Sequence, residues 1–263
     1  MVQDMLKYYV QEKISDRQKD MDIEQFLDEN GITRLFSDDE KYPKNIILAR
    51  KNMPVLYHLG ELYDYSNCVS VVGTRSCSEF GKEFAYNLGK KLVDNNYKVV
   101  SGLADGIDTF AHKGCIENDG LAIVILAWFH KLFPAHNRPL LDTILKNGCA
   151  ITENVIQPEK NSRFEFLKRD ELMVALSNVI IVVESKSKGG AKYTADYAKK
   201  KGVPVIIAKT KTNDPELIDG FNTFVENGAI VAQSEDDVIG ILKNIQTEKI
   251  KPTSNTMDNF FLE

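Results

Sequence analysis

The sequence lacks the cysteine spacing that protein metal sites use. Its four cysteines, Cys68, Cys77, Cys115 and Cys149, include no CxxC pair, and isolated cysteines of this kind are typical of reduced, packed thiols. We therefore expect no zinc site. No other metal-ligand spacing is evident, and nothing in the sequence predicts a bound metal or cofactor.

Long apolar runs are also missing. None approaches the roughly 20 residues that cross a bilayer, and the first segment, MVQDMLKYYVQEKISDRQKD, is charged and has no apolar signal core. We therefore expect a cytoplasmic protein that is neither exported nor bound to a membrane. With 263 residues, the chain can form one or two domains with a substantial core.

Catalytic motifs are equally scarce. The sequence has no HExxH or GxSxG motif and no evident pair of nucleophile and base. Asp105, Asp108, Glu153, Glu184 and His112 are candidates for acid–base chemistry. Because His112 follows Asp108 by four residues on one predicted helix face, capping or hydrogen bonding of Asp108 is the simpler interpretation. We predict a binding protein rather than an enzyme.

Negative charge predominates overall but is unevenly distributed. The net charge is −5, yet residues 160–211 contain 12 Lys or Arg against 5 Asp or Glu, which leaves −12 on the rest of the chain. A basic segment in an acidic protein is expected where one face binds a polyanion. Lysines are also common on solvated helices, so charge alone does not distinguish these interpretations.

Residues 69–112 contain two strand–turn–helix units in succession. A β-branched run ends at Gly73, and a second run ends at Ser101 and Gly102 before another helix. Helix N-termini expose unpaired N–H groups, so two of them side by side would form an anion pocket. Glycine lets a phosphate approach the backbone, and Arg75 would add a guanidinium. The alternative is a pair of ordinary helix caps that bind no ligand.

Apolar strands alternate with helices through most of the sequence. The runs AIVIL at 122–126, VIIVV at 179–183 and PVIIA at 204–208 predict an α/β fold, with a mostly parallel sheet covered by helices on both faces. We expect a short helical N-terminal region at 1–41, in which 33–43 forms a turn. A main domain at 42–245 and a flexible tail with an apolar end at 246–263 would follow.

A third glycine-containing turn, SKSKGGAK at 185–192, follows the strand predicted at 179–183. Ligands of parallel sheets bind at the carboxyl ends of the strands. Because all three turns follow strands, we expect them to meet at that edge and to line one pocket.

These residues resemble the DNA-processing protein A (DprA/Smf) family. The resemblance is carried by GTRSCSEFG at 73–81, SGLADGIDTFAH at 101–112, FLKRDELMVALS at 166–177 and GFNTFVENGAIVAQSEDDV at 220–238, and it extends from about residue 42 to about residue 242. It implies a Rossmann-like fold and non-catalytic binding of single-stranded DNA. It also implies a homodimer and help in loading a RecA-type recombinase during natural transformation or DNA recombination.

The resemblance and the three turns together predict the residues of a phosphate-binding site. The resemblance implies that the GTR turn, the SGLAxGID turn and the segment around Arg169 meet at one pocket. The predicted site consists of Gly73, Thr74, Arg75, Ser78, Ser101, Gly102, Gly106, Asp108, Lys168, Arg169, Gly189, Gly190 and Lys192. The aromatic side chains that could stack on bases are Phe133, Phe164, Phe166 and Tyr193.

Three acidic residues depart from the family pattern. Asp105 stands where the family usually has the Arg of GLARGID, and Asp170 and Glu171 replace the last two residues of the triplet RNR. A negative charge near a phosphate contact weakens binding and lowers its salt dependence. These departures leave open a pocket that has lost its ligand.

Another class of function remains open at this point. A nucleotide sensor or an N-glycoside phosphoribohydrolase of the same superfamily could use the same pocket. The turn at 188–196 has the glycine pair of the hydrolase signature PGGxGTxxE but not its Glu, which favours binding over hydrolysis.

The tail contains a further candidate interaction. Ser254-x-x-Met257-x-x-Phe260-Phe261 resembles peptides that dock on replication sliding clamps. Docking on the chain's own domain is the alternative.

Overall fold

One mixed sheet forms the central layer of the structure. A computed structural model describes residues 23–49, 53–157 and 162–250, and within these residues nine strands form a single sheet. The strands are β1 (Thr33–Leu35), β2 (Leu56–Gly60), β3 (Cys68–Val72), β4 (Lys98–Ser101), β5 (Ala122–Ile125), β6 (Cys149–Thr152), β7 (Val179–Val182), β8 (Val205–Ala208) and β9 (Ile230–Ala232).

Helices cover both faces of this sheet. They are α1 (Ile23–Glu29), α2 (Lys44–Ala49), α3 (Glu79–Asp94), α4 (Ile107–Ile116), α5 (Arg138–Ile144), α6 (Ser162–Leu176), α7 (Gly190–Lys200), α8 (Pro215–Glu226) and α9 (Glu235–Ile250). One apolar core includes Leu88 of α3 and Ala111 of α4. The other includes Leu172 of α6 and Ala195 of α7. Among the described residues, no helix is both long and apolar enough to span a membrane.

The strand order places a switch point beside β3. The order is β1-β2-β6-β5-β4-β3-β7-β8-β9, and the strands from β6 to β9 in this order pair in parallel. The chain leaves β3 towards β4 on one side, whereas β7 pairs with β3 on the other, with Val72 opposite Val182. Loops diverge at such a point and leave a crevice outside the carboxyl ends of the strands.

The continuous apolar character of the strands follows from this two-faced burial. In β3, Val69 and Val71 point into the core on the α3 side, while Cys68 and Val72 point into the core on the α6 side. Successive side chains of a strand face opposite sides of a sheet, so neither face tolerates a polar residue without a partner. Ser70, which is buried in the same strand, hydrogen-bonds Ser177 at 2.8 Å.

The predicted α/β fold is confirmed, and its edge differs from the prediction. The expected turn at 33–43 is wrong in its first part, because Thr33–Leu35 forms β1 and pairs antiparallel with β2. Strand β2, which the sequence did not predict, pairs antiparallel with β6. The predicted domain boundaries stay predictions, and the segments 1–22 and 251–263, with their expected lead and clamp-like motif, lie outside the described residues.

Helix α8 is a second feature that the sequence analysis missed. It begins after Asp214, whose side chain accepts a hydrogen bond from the Glu216 N–H at 2.8 Å. Pro215 occupies its first turn. Proline is tolerated there, because the N–H group that it lacks would have no partner within the helix. The Asp-Pro pair is therefore a signal for the start of a helix that can be recognised in the sequence. It also marks the end of the preceding segment.

Two glycines allow α3 and α4 to pack closely. A Cβ at Gly114 would lie 1.9 Å from the Tyr86 carbonyl oxygen, and a Cβ at Gly89 would lie 2.4 Å from the Ala111 carbonyl oxygen. Each glycine therefore contacts the backbone of the other helix. This contact fixes α4, and with it the turn that follows β4.

We predict that Gly114→Ala destabilises the fold by about 1–3 kcal/mol or more, because its methyl group forces two backbones apart. Urea unfolding of the variant and the parent chain measures this difference in free energy. Gly240→Ala is the control, since a Cβ there meets nothing within 4 Å. In this exposed helix we expect it to stabilise the protein by roughly 0.5–1 kcal/mol. Equal effects of the two substitutions would contradict the close-packing interpretation.

Candidate functional site

A cavity of about 720 Å³ lies at the switch point, between the segments that follow β3 and β7. Its wall includes the GTR turn, the N-terminal half of α6 and the first turn of α7. Five lining residues are cationic, namely Arg75, Arg163, Arg169, Lys186 and Lys188, and two are acidic, Asp108 and Asp170. The cavity therefore has the location and the charge of an anion site.

The start of α3 is occupied by a carboxylate of the chain itself. Glu184, which is buried after β7, accepts hydrogen bonds from the Ser78 N–H at 2.9 Å and from the Ser78 hydroxyl at 2.7 Å. The Ser78 hydroxyl in turn accepts from the Gly81 N–H at 3.1 Å. The Thr74 N–H donates to the Glu184 carbonyl oxygen at 2.6 Å. The expectation that this helix start is open to a phosphate is therefore wrong, because Glu184 already satisfies it.

The turn before α4 is likewise closed by its own acid. Asp108 accepts hydrogen bonds through Oδ2 from the Gly102 N–H at 3.1 Å and the Ala104 N–H at 3.3 Å. The Ser101 hydroxyl donates to the Val71 carbonyl oxygen at 2.7 Å, so it is directed into the sheet. Gly106 has φ of 72°, a conformation that glycine adopts without strain. These residues shape the turn, and its amides bind Asp108 rather than a ligand.

His112 does not hydrogen-bond Asp108, so that prediction is wrong. Both ring nitrogens of His112 lack a hydrogen-bond partner among the described residues. Burial lowers the pKa of His112 to about 4, because the interior disfavours the charged ring. The imidazole is therefore neutral and forms part of the core beneath the turn.

Arg169 lies in the floor of the cavity. Its guanidinium packs directly on Gly102, where a Cβ would fall 1.2 Å from Nη1. Its Nε lies 3.0 Å from Oδ1 of Asp170, and the Arg169 side chain is 8% exposed. Gly102 therefore makes room for a side chain of the protein itself, which corrects the expectation that it makes room for a phosphate.

The start of α7 is more exposed than the other two. Its N-cap residue, Gly189, and the next residue, Gly190, are both exposed, whereas the N-cap residues of α3 and α4 are half-buried. Exposed lysines, Lys186 and Lys188, flank this turn. An exposed helix start beside positive charge is an arrangement that suits phosphate oxygens.

Exposed aromatic rings stand beside the cations. Phe133 and Phe164 are 53% and 54% exposed. The guanidinium of Arg75 lies 5.7 Å from the centroid of Phe133, and Nζ of Lys168 lies 4.8 Å from that of Phe164. Phe166, which lines the cavity, packs edge-on against Phe133 at 6.0 Å. Such rings offer faces on which flat bases stack.

The structure brings together about half of the predicted site. The predicted residues that line the cavity are Gly73, Thr74, Arg75, Asp108, Arg169, Gly189 and Gly190. Ser78, Ser101, Gly102 and Gly106 support the turns without lining it, and Lys168 lies outside it, 3.2 Å from Glu165. Lys192 pairs with Asp196 at 2.5 Å and lines a separate cavity. The role of all the predicted site residues in binding stays a prediction.

Three lining cations are absent from the predicted site, namely Arg163, Lys186 and Lys188. Their membership of the basic segment 160–211 was a readable signal, but it did not distinguish them from lysines on the outer face of α7. The three unusual acids also differ in placement. Asp105 pairs with His136 at 2.6 Å, and Glu171 accepts from the Tyr193 hydroxyl at 2.6 Å. Asp170 alone of the three lines the cavity.

Comparison with known protein families matches residues 33–243 to the DNA recombination-mediator protein A family. The chain belongs to this family. The predicted resemblance is thereby confirmed, and the match also includes β1, which lies before the predicted start at residue 42.

A relative and two solved structures illustrate the similarity. Protein Smf of Synechocystis sp. is 31% identical over 92% of this chain, which spans 64% of that protein's length. The X-ray structure of DNA processing protein A from Streptococcus pneumoniae has a TM-score of 0.72 and 27% identity, covering 84% of this chain and 78% of that one. DNA processing protein A from Helicobacter pylori, whose structure concerns its single-stranded DNA binding mode, has a TM-score of 0.68 and 25% identity, covering 81% of this chain and 96% of that one.

We predict that Gly102→Ala destabilises the protein by at least about 2 kcal/mol, because the new methyl group displaces the buried Arg169 from its ion pair. Urea unfolding measures the loss. Gly189→Ala is the matched control on the other side of the cavity, where the nearest atom to a Cβ lies at 3.6 Å. We expect that control to change stability by no more than about 0.5 kcal/mol. If Gly102→Ala is as stable as the parent, Arg169 can adopt another conformation without loss of stability, which contradicts the prediction.

Proposed function

We propose that the chain binds single-stranded DNA in the cavity at the switch point and acts in DNA processing during DNA uptake or recombination. The observation that carries this proposal is the cationic wall of the cavity next to two exposed phenylalanines. Membership of the DNA recombination-mediator protein A family supports it, as does the relative whose structure concerns single-stranded DNA binding.

The charges suit a backbone of phosphates. Arg75, Arg163, Lys186 and Lys188 are exposed at the rim, where they can exchange solvent for phosphate oxygens. Lys186 also pairs with Glu216, so its share in binding is smaller. With about three effective phosphate contacts, the logarithm of affinity should fall with the logarithm of salt concentration at a slope of roughly −2.

The aromatic rings favour a single strand over a duplex. In a duplex the base faces are stacked on each other and hidden from the protein, whereas a single strand presents them. Phe133 and Phe164 are each more than half exposed and lie beside a cation. A strand could thus place phosphates on the cationic rim and bases on the rings.

The remaining expectations belong to the same proposal. The protein would act by binding rather than by catalysis, as a cytoplasmic homodimer that helps to load a RecA-type recombinase. The residues 254–261 would serve as a clamp-like contact or dock on the domain itself. Each of these expectations rests on the family and on the sequence, and each needs its own experiment.

A mononucleotide is the second candidate ligand. The cavity of about 720 Å³ falls in the size range of small-molecule sites, and the exposed start of α7 could hold one phosphate. Such a ligand would contact the turn at 185–190 but not the exposed rings of Phe133 and Phe164. Comparing oligonucleotide and mononucleotide affinities therefore separates the two candidates.

We predict that oligo-dT binds with salt-sensitive affinity and that dTMP binds far more weakly. Fluorescence anisotropy at two salt concentrations measures both. Arg75→Ala should weaken oligo-dT binding by roughly tenfold and reduce the salt slope by about 0.7, because one phosphate contact is lost. Phe164→Ala should weaken binding by about 1–3 kcal/mol with an unchanged slope, because stacking is uncharged.

Lys146→Ala is the matched control for Arg75→Ala, since it removes one exposed positive charge just before β6, at the other end of the strands. We expect it to leave affinity nearly unchanged. If Lys146→Ala and Arg75→Ala weaken binding equally, the cavity is not the binding site. If dTMP binds as tightly as oligo-dT, the mononucleotide candidate replaces the proposal.

A further inference from the structure

The floor of the cavity holds two buried carboxylates and a single buried guanidinium. Asp108, Arg169 and Asp170 are 5%, 9% and 6% exposed, and all three line the cavity. One positive charge cannot neutralise two negative ones, and burial makes the uncompensated charge costly. This cluster therefore favours protonation of one carboxylate at a higher pH than an isolated carboxylate would need.

The groups that face Asp170 come from every element packed around it. Arg169 on its own helix lies 3.0 Å away, Asp108 faces it from α4, and Arg75 faces it from the turn after β3. From α7, the Thr194 hydroxyl and Tyr193 face it. Oδ2 of Asp170 lies 3.9 Å from the position of a Cβ on Gly190. The carboxylate thus stands beside the exposed start of α7.

The two carboxylates of the cluster are not equivalent. Asp108 accepts hydrogen bonds from two backbone N–H groups, at Gly102 and Ala104, and such bonds favour its charged form. Asp170 accepts none from the backbone among the bonds of the described residues. Burial raises the pKa of Asp170 to about 6, with Arg169 opposing the shift and Asp108 adding to it. Burial also raises the pKa of Asp108. Because the backbone hydrogen bonds stabilise the charged form of Asp108, we assign the protonation near pH 6 to Asp170.

We propose that Asp170 sets the affinity of this cavity for phosphate-bearing ligands, and that ligand binding is coupled to the uptake of one proton by its carboxyl group. The inference rests on the proposed function, since it names the regulation of the same site. The juxtaposition that carries it is a buried acid, with one shared cation as its ion-pair partner, at the helix start where a phosphate would lie.

The direction of the coupling follows from charge. With Asp170 ionised, a phosphate at the start of α7 meets a like charge in a poorly solvated floor, and its affinity is low. With Asp170 protonated, that repulsion disappears, and the charges of Arg169 and Asp108 balance each other in the floor. Because protonation favours binding, binding must by linkage favour protonation. Affinity therefore rises as the pH falls through about 6, the pKa of Asp170.

The test compares oligo-dT binding to the full chain at pH 5 and pH 7.5, at constant ionic strength, by fluorescence anisotropy. We expect the parent chain to bind at least about tenfold more tightly at pH 5, because one like charge beside the phosphate is removed. Asp170→Asn, which resembles the protonated acid in shape and charge, should bind at pH 7.5 as tightly as the parent does at pH 5. Its affinity should change little between the two pH values.

Asp119→Asn is the matched control. It removes the same charge from an exposed residue before β5, at the opposite edge of the sheet, and asparagine tolerates the φ of 57° found there. We expect it to keep the full pH dependence of the parent. A pH effect that both variants retain does not come from Asp170.

Proton uptake provides a second readout. Calorimetric titration with oligo-dT at pH 6.5, in buffers of different ionisation enthalpy, should show a fractional proton bound by the parent chain and none by Asp170→Asn. Circular dichroism and urea unfolding confirm that each variant is folded. The inference is overturned if the parent and Asp170→Asn bind oligo-dT with the same affinity and the same pH dependence, in which case the proposed function stands without it. Binding by Asp170→Asn alone at pH 7.5 supports the inference. If neither chain binds oligo-dT at either pH, both proposals fail.

Discussion

Backbone N–H groups at the carboxyl edge of the sheet require negative partners, and this requirement organises the site. The helices α3, α4 and α7 follow parallel strands and begin beside the cavity, where helix starts present N–H donors. Glu184 binds at the start of α3, and Asp108 binds the amides of the turn before α4. The start of α7, at Gly189 and Gly190, is exposed to solvent. Of these three helix starts, the exposed one is the place that suits a ligand.

The arrangement of cations follows the same logic. Arg169 is directed inward, because two buried acids stand beside it and Gly102 makes room for it. Arg75, Arg163 and Lys188 are exposed at the rim. The floor is therefore a nearly balanced cluster of charges, and the rim carries the excess. A change of one proton in the floor alters the balance that the rim presents to an anion.

The sequence predicted the central parallel strands well, because they are buried on both faces and read as unbroken apolar runs such as 179–183. It missed the edge strand β1, which has three residues, and its neighbour β2, which has five. Their pairing with each other and with β6 depends on contacts between residues distant in sequence. Helix α8 was missed although Asp214 and Pro215 mark its start, since its neighbouring apolar residues were assigned to the closing segment of the domain.

At the site, the sequence predicted that the turns after β3 and β7 meet, because parallel strands end at one edge. It could not predict that Glu184 binds at the start of α3 and that Asp108 binds the turn before α4. A buried acid that binds the protein's own amides and an acid that faces a ligand have the same letter in the sequence. The glycine at position 102 was explained by a phosphate, whereas its space belongs to Arg169. Because a side chain at 102 and the side chain at 169 would occupy the same space, the two positions cannot vary independently. A larger residue at 102 becomes tolerable only together with a shorter one at 169, so substitutions at these sites should show epistasis although they lie 67 positions apart.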